Sequence, residues 1–177
     1  MDEVSLPDGV FINWTDTYSQ YKPLSPEITK ILANHLEWLS DRTRGKKANL
    51  QNTNLHNVNL RGVNLSDAVL NGANLSYANL SGANLNSANL RHANLMDVDL
   101  SYADLRFADL SGADLTGANL YHAHLFDANL FNANLMDADL TCANLSYTYL
   151  TGAFLLNANL SGANLNGANL DFAVGLE

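Results

Sequence analysis

The sequence predicts an all-β solenoid with a helical segment capping its N-terminal end, and three observations carry that reading. Leucine occupies every fifth position from Leu50 to Leu170 without exception. Two residues before each leucine stands alanine, replaced only by Thr53, Val58, Val63, Val98 and Thr148. Residues 25–45 abandon this period and place apolar side chains at helical spacing instead.

The first 24 residues, with Phe11, Ile12, Trp14, Tyr18 and Tyr21, are too aromatic for a solvated tail. Their form is not readable, and they are expected to pack on the cap or on a coil flank. From residue 25 the reading is a helix. Ser25 suits the N-cap, Pro26 the first helical position, and Glu27 the positive end of the dipole. Ile28, Ile31, Leu32, His35, Leu36 and Leu39 form one stripe, with Trp38 flanking it. Arg42, Arg44 and Gly45 mark the stop.

Residues 48–174 read as repeats of A-[N/D]-L-x-x, with Asn or Asp at most of the middle positions. A helix repeats near 3.6 residues, so leucines five apart would smear around it. A flat strand repeats at two and would alternate them between faces. Three extended residues followed by a corner resolve the conflict: Ala and Leu share one face, and Asn or Asp takes the other. Gly62, Gly72, Gly82, Gly112, Gly117, Gly152, Gly162 and Gly167 fall where a type II turn needs positive φ. If every corner turns the same way, the inward Ala and Leu meet on one axis and successive loops stack. The residues alone leave open whether three or four sides close a loop.

Runs such as SGANLNSANL and SGADLTGANL resemble the pentapeptide-repeat family. The resemblance implies a right-handed quadrilateral β-helix with 20 residues per coil, hence about six coils and a rod of roughly 30 Å at ~4.8 Å per coil. The leader, with H-x-x-W-L at residues 35–39, is similar to helical leaders of some bacterial members. The first coil would otherwise expose unpaired strand edges, which the helix stripe is placed to cover.

No phosphate loop, metalloprotease motif or serine nucleophile motif appears, so no enzyme and no cofactor are expected. His122 shares a column with Tyr102 and Cys142, but two ligands without a third make a poor metal site. A single cysteine excludes an internal disulfide framework, and no run is long or apolar enough for a membrane span. The acidic start lacks a signal core, so a cytoplasmic location is expected. Residues 48–177 carry eleven acids, ten Asp and Glu177, against Arg61, Arg91 and Arg106, which disfavours direct nucleic-acid binding.

Two surface features bear on function. Asp99, Asp104, Asp109 and Asp114 fill the outward middle position on four successive sides, an acidic belt. The family resemblance gives that belt a meaning, since quinolone-resistance members are taken to imitate DNA on type II topoisomerases such as gyrase. The other feature is apolar: Tyr121, Phe126, Phe131, Met136, Tyr147, Tyr149, Phe154 and Leu156 interrupt an otherwise polar surface. Such a patch predicts a rod that binds a protein partner, with a homodimer through the patch or the C-terminal coil as one form. Cover by residues 10–21 is the intramolecular alternative. An ice-binding face is disfavoured because outer threonines are few.

Overall fold

A computed structural model of the chain describes residues 20–176. Phe11, Ile12, Trp14 and Tyr18 of the aromatic leader lie outside the described residues. Parallel bridges join residues 20 apart, from Asn49↔Val69 to Phe154↔Val174. One loop therefore takes four five-residue units, which settles the number of sides. Ala and Leu point inward along the whole array, and the leucines from Leu65 to Leu120 are fully buried. Thr148 joins them without penalty because its hydroxyl donates to the Leu145 carbonyl at 2.6 Å.

Nearly every corner is closed by a hydrogen bond from the N–H at the alanine position to the preceding leucine carbonyl, such as Ala113 to Leu110 at 3.0 Å. The second corner residue has positive φ at every corner, from 51° at Asp97 to 73° at Gly167. Most of these residues are not glycine; Tyr77, Phe107 and Tyr147 all adopt the left-handed region. That conformation costs a non-glycine residue about 1–2 kcal/mol. The coil-to-coil bond from the same residue's N–H, for example Tyr147 to the Asn166 carbonyl at 3.0 Å, helps offset it.

The outward Asn and Asp have a structural duty beyond keeping the surface polar. From Asn49 to Asn169, every Asn or Asp at this position accepts the N–H two residues on, at 2.9–3.2 Å. These are Asx turns, and they fix the entry to each corner.

At the N-terminal end, helix α1 (Pro26–Ser40) contributes Ile28 and Leu32 to the same core cluster as the coil leucines. Ser25 caps it, its side chain accepting the Ile28 N–H at 3.3 Å. The helix stops at Asp41, whose carboxylate takes the Thr43 N–H and hydroxyl at 2.9 and 2.7 Å. That is earlier than Arg42–Gly45; Gly45 instead lets the chain pass close under the helix, where a Cβ would meet the Asn34 carbonyl. Ile28, Leu32 and His35 are buried, whereas Leu36 and Leu39 are only partly so, and the stripe is narrower than its spacing suggests. Just before the helix, Lys22 pairs in parallel with Val58, its N–H reaching the Asn57 carbonyl at 2.7 Å. Part of the first coil's open edge is thereby covered by backbone. At the other end, Leu160, Leu165 and Leu170 are only partly buried.

His35 joins helix to rod. Its Nδ1 accepts the Ala48 N–H at 3.1 Å, which places the neutral ring's proton on Nε2. Nε2 has no partner at hydrogen-bonding geometry, although the nearby Ser66 backbone favours the charged ring, an influence second only to that of burial. Burial dominates and lowers the imidazole pKa below its ordinary 6.5, with Arg42 and Lys47 adding to the fall and Asp67 opposing it.

Two predictions follow from this packing. Leu110→Asp is expected to unfold or truncate the rod, losing at least about 3 kcal/mol, the scale of a buried leucine truncation before any charge penalty. Arg61→Asp, on an exposed corner, is expected to leave the melting temperature nearly unchanged. Ser111 is a poor site for such a control, because its side chain is buried and its Oγ unpaired. The second prediction concerns acid. Because the folded pKa of His35 is depressed, the unfolded chain takes the proton first, and stability falls as pH drops from about 6.5 through the folded value. Trp38, stacked on His35 at 5.6 Å, reports the loosening by fluorescence in a Trp14→Phe background, and His35→Gln is expected to flatten the response.

Candidate interaction surface

Ring contacts tie several of the exposed apolar side chains into clusters. Tyr121 belongs with Tyr102 and His122, not with Phe126. Its ring meets theirs at 5.5 and 4.4 Å, and Tyr102 stacks flat on His122 at 5.3 Å. The phenol of Tyr102 raises the Tyr121 pKa. His122 is thus held by aromatic rings, and no group of three or more metal-ligating residues occurs among the described residues. At the next corner Phe107, Phe126 and Tyr147 form an edge-to-face ladder with spacings of 5.7 and 5.5 Å.

Beyond that ladder lie Phe131 and Tyr149, and then Met136, Phe154 and Leu156. Tyr149, Phe154 and Leu156 are each about half exposed, at 53%, 48% and 54%. The third group runs on through Val174 and Leu176, which the sequence reading did not include. Phe107 was also missed, as were Tyr77, Tyr102 and Phe172. The cause is geometric. A corner residue donates its N–H to the carbonyl 19 residues later, as Phe107 does to Phe126, so side chains meet on the diagonals as well as along columns of 20.

Tyr149 and Phe154 stand where Asn or Asp closes an Asx turn. Neither can accept, and the Thr151 and Leu156 N–H groups have no protein acceptor among the described residues. His124 and Val69 are the other residues that forfeit this bond before the last coil. A neutral hydrogen bond contributes about 0.5–1.5 kcal/mol. Folding alone would therefore favour asparagine at 149 and 154.

The acidic belt is committed to the coil. Asp99 accepts the Ser101 N–H and the Asn119 amide at 3.0 and 3.2 Å. Asp104 is held by Arg106 through two bonds of 2.8 and 2.7 Å, which keeps its carboxyl below the usual range. Asp109 meets the Ser111 N–H, Arg91 and Asn129. Asp114 takes the N–H and hydroxyl of Thr116 and the Asn134 amide. Two of these four charges are thus paired with arginine.

A four-sided coil of A-[N/D]-L-x-x units with leucine and alanine inside defines one class of protein. The family description Pentapeptide repeats matches residues 48–86, 64–101, 78–117, 103–141, 118–155 and 138–173, and the chain belongs to that family, whose fold is the right-handed quadrilateral β-helix. Among solved structures it is similar to HetL, a pentapeptide repeat protein involved in heterocyst differentiation regulation from the cyanobacterium Nostoc sp. strain PCC 7120. The identity is 40% over 72% of this chain and 64% of that one, with a TM-score of 0.36. The match thus spans slightly under two thirds of HetL. A second Nostoc pentapeptide repeat protein, alr5209, is 39% identical over 50% of this chain and 77% of that one, with a TM-score of 0.46. One from the Arabidopsis thaliana thylakoid lumen is 33% identical over 50% and 65%, with a TM-score of 0.43. No curated protein matches the sequence.

Replacing Tyr149 or Phe154 by Asn should restore an Asx turn. Each variant is expected to melt higher than the parent, by roughly 0.5–1 kcal/mol after the lost ring contacts are subtracted. Thermal denaturation of the single and double variants checks this, and a lower melting temperature would show that the rings serve the fold.

Proposed function

We propose that the protein is a non-enzymatic interaction rod that binds a protein partner through the aromatic side of its last coils. The observation that carries this reading is the pair Tyr149 and Phe154. They forgo a hydrogen bond that every Asn and Asp at their position makes, and they leave large rings half exposed. Exposed apolar groups of this size, rimmed by polar residues, are typical of docking surfaces. The rod itself is rigid and needs little ordering on binding, which favours affinity at modest contact area.

The second reading, a DNA-mimicking modulator of gyrase, rests on the acidic belt. Its carboxylates turn their lone pairs to internal donors, and Asp104 and Asp109 are offset by Arg106 and Arg91. A surface so neutralised is a weak imitation of a phosphate backbone.

One experiment separates the two. Affinity capture from the source cells compares the parent with a Phe131→Ser, Tyr149→Asn, Phe154→Asn variant and with a belt variant carrying Asn at 99 and 114. A partner is expected to be lost with the aromatic variant and retained by the belt variant. In a supercoiling assay the parent is expected to leave gyrase untouched at micromolar concentration. Inhibition that fades with salt and with the belt variant would overturn this choice.

A further inference from the structure

One corner of the aromatic side has a more specific chemistry. Phe126, Tyr147 and Tyr149 wall a recess of about 360 Å³ that is also lined by Asp127 and floored by Gly167. Tyr147 and Asp127 are corner residues of successive coils, both with positive φ, so their side chains emerge side by side from the same edge. Gly167 keeps the recess open: a Cβ there would lie 2.8 Å from the Tyr147 ring. The ion pairs among the described residues join Arg42 to Asp67, Arg91 to Asp109 and Arg106 to Asp104, and none engages Asp127. Arg106 stands one coil below Phe126 in the same column but is held by its two bonds to Asp104.

Aromatic faces beside a carboxylate suit a cation, above all a planar guanidinium, which stacks on the ring while its N–H groups reach the acid. The chain fills such an arrangement once with its own side chain. The Arg42 guanidinium lies 3.6 Å over the Trp38 ring and pairs with Asp67 at 3.1 Å. At Phe126, Tyr147, Tyr149 and Asp127 the same components occur with no cation of the chain among them.

The geometry points to this recess as the anchor site for an arginine side chain of the partner protein. The assignment rests on the interaction-rod reading and gives that surface its ligand chemistry. Charge agrees: the repeats hold ten aspartates against three arginines, so a partner offering basic side chains is drawn to the rod and one offering acids is repelled. The polarity of the site also matters. An apolar anchor would leave Asp127 to be desolvated without compensation, whereas arginine satisfies the rings and the carboxylate together.

The test uses the intact protein and two blocked peptides, acetyl-Gly-Arg-Gly-amide and its citrulline counterpart, which keeps the shape and hydrogen-bonding head but lacks the charge. Titration followed by NMR should shift the Gly167 and Asn169 amides and the Phe126 and Tyr147 ring protons with the arginine peptide, saturating on the order of 1 mM. Citrulline should bind at least about fivefold more weakly, as should arginine to Asp127→Asn, whose corner tolerates asparagine as Asn132 and Asn157 show. Tyr147→Ala should abolish the shifts, with an unchanged amide spectrum in the distant coils confirming the fold. Equal binding of the two peptides, or shifts confined to other faces, overturns the assignment. So does a concentration-dependent dimer that Tyr147→Ala disperses without any arginine-peptide shift, since the occupant is then a second copy of this chain. A rod that captures its partner through Tyr149 yet ignores the arginine peptide refutes the anchor while sparing the interaction reading. Capture independent of the aromatic side refutes that reading itself.

Discussion

From Leu50 to Leu155 the leucine N–H of each side donates to the carbonyl 19 residues later at 2.7–2.8 Å, and the register of the whole rod follows from that bond. It holds successive loops one strand spacing apart, which puts leucine on leucine and alanine on alanine along the axis. The five-residue side is as short as a corner permits, so no side can slip by one without turning its leucine to solvent. Every other regular feature serves this stacking. Alanine is small enough for four sides to meet, the left-handed corner residue turns the chain, and the Asn or Asp oxygen holds the corner's first N–H.

That hierarchy explains what could be read from residues alone. Leu50 to Leu170 and their alanines face a crowded axis with one solution per position, so their pattern is strict and the fold legible. Ser25, Pro26 and Glu27 announced the helix through local chemistry in the same way. Its end was less legible, because Asp41 stops it by an Asx turn that competes with the Arg42–Gly45 signal. The Asx role of the outward Asn and Asp is not legible in the residues, since a turn-closing acceptor and a solvated amide look alike in sequence. The site was harder still. Phe107 meets Phe126 and Phe126 meets Tyr147 at spacings of 19 and 21, and a column rule of 20 passes over both.

The Asx turns also change what the acidic composition means. An aspartate whose oxygen already accepts a backbone N–H is in the place that an asparagine fills one coil away, and the two differ by a charge that the turn does not require. Asp99 and Asn119, Asp109 and Asn129, and Asp114 and Asn134 even hydrogen-bond to each other as successive members of a column. Ladders of this kind clamp neighbouring coils, and the carboxylate strengthens the clamp by accepting from the amide above. Acid in the middle of the rod is therefore explained by the rod.

The aromatic residues at 149 and 154 admit no such explanation. In a repeat whose every position has a structural reason, a residue that satisfies the reason carries no separate information about binding, however exposed it is. Information about binding resides where the reason is overridden. Tyr149 sets its ring beside Tyr147 and Phe126 at the cost of the Thr151 N–H, and the neighbouring coil supplies glycine at 167 where a side chain would crowd the ring. The departure lies at Tyr149; Gly167 is an ordinary corner glycine whose missing side chain leaves the ring room. A residue chosen for the rod alone would have closed the Asx turn at 149, so the ring set there against Phe126 and Tyr147 is the part of the recess that folding does not account for.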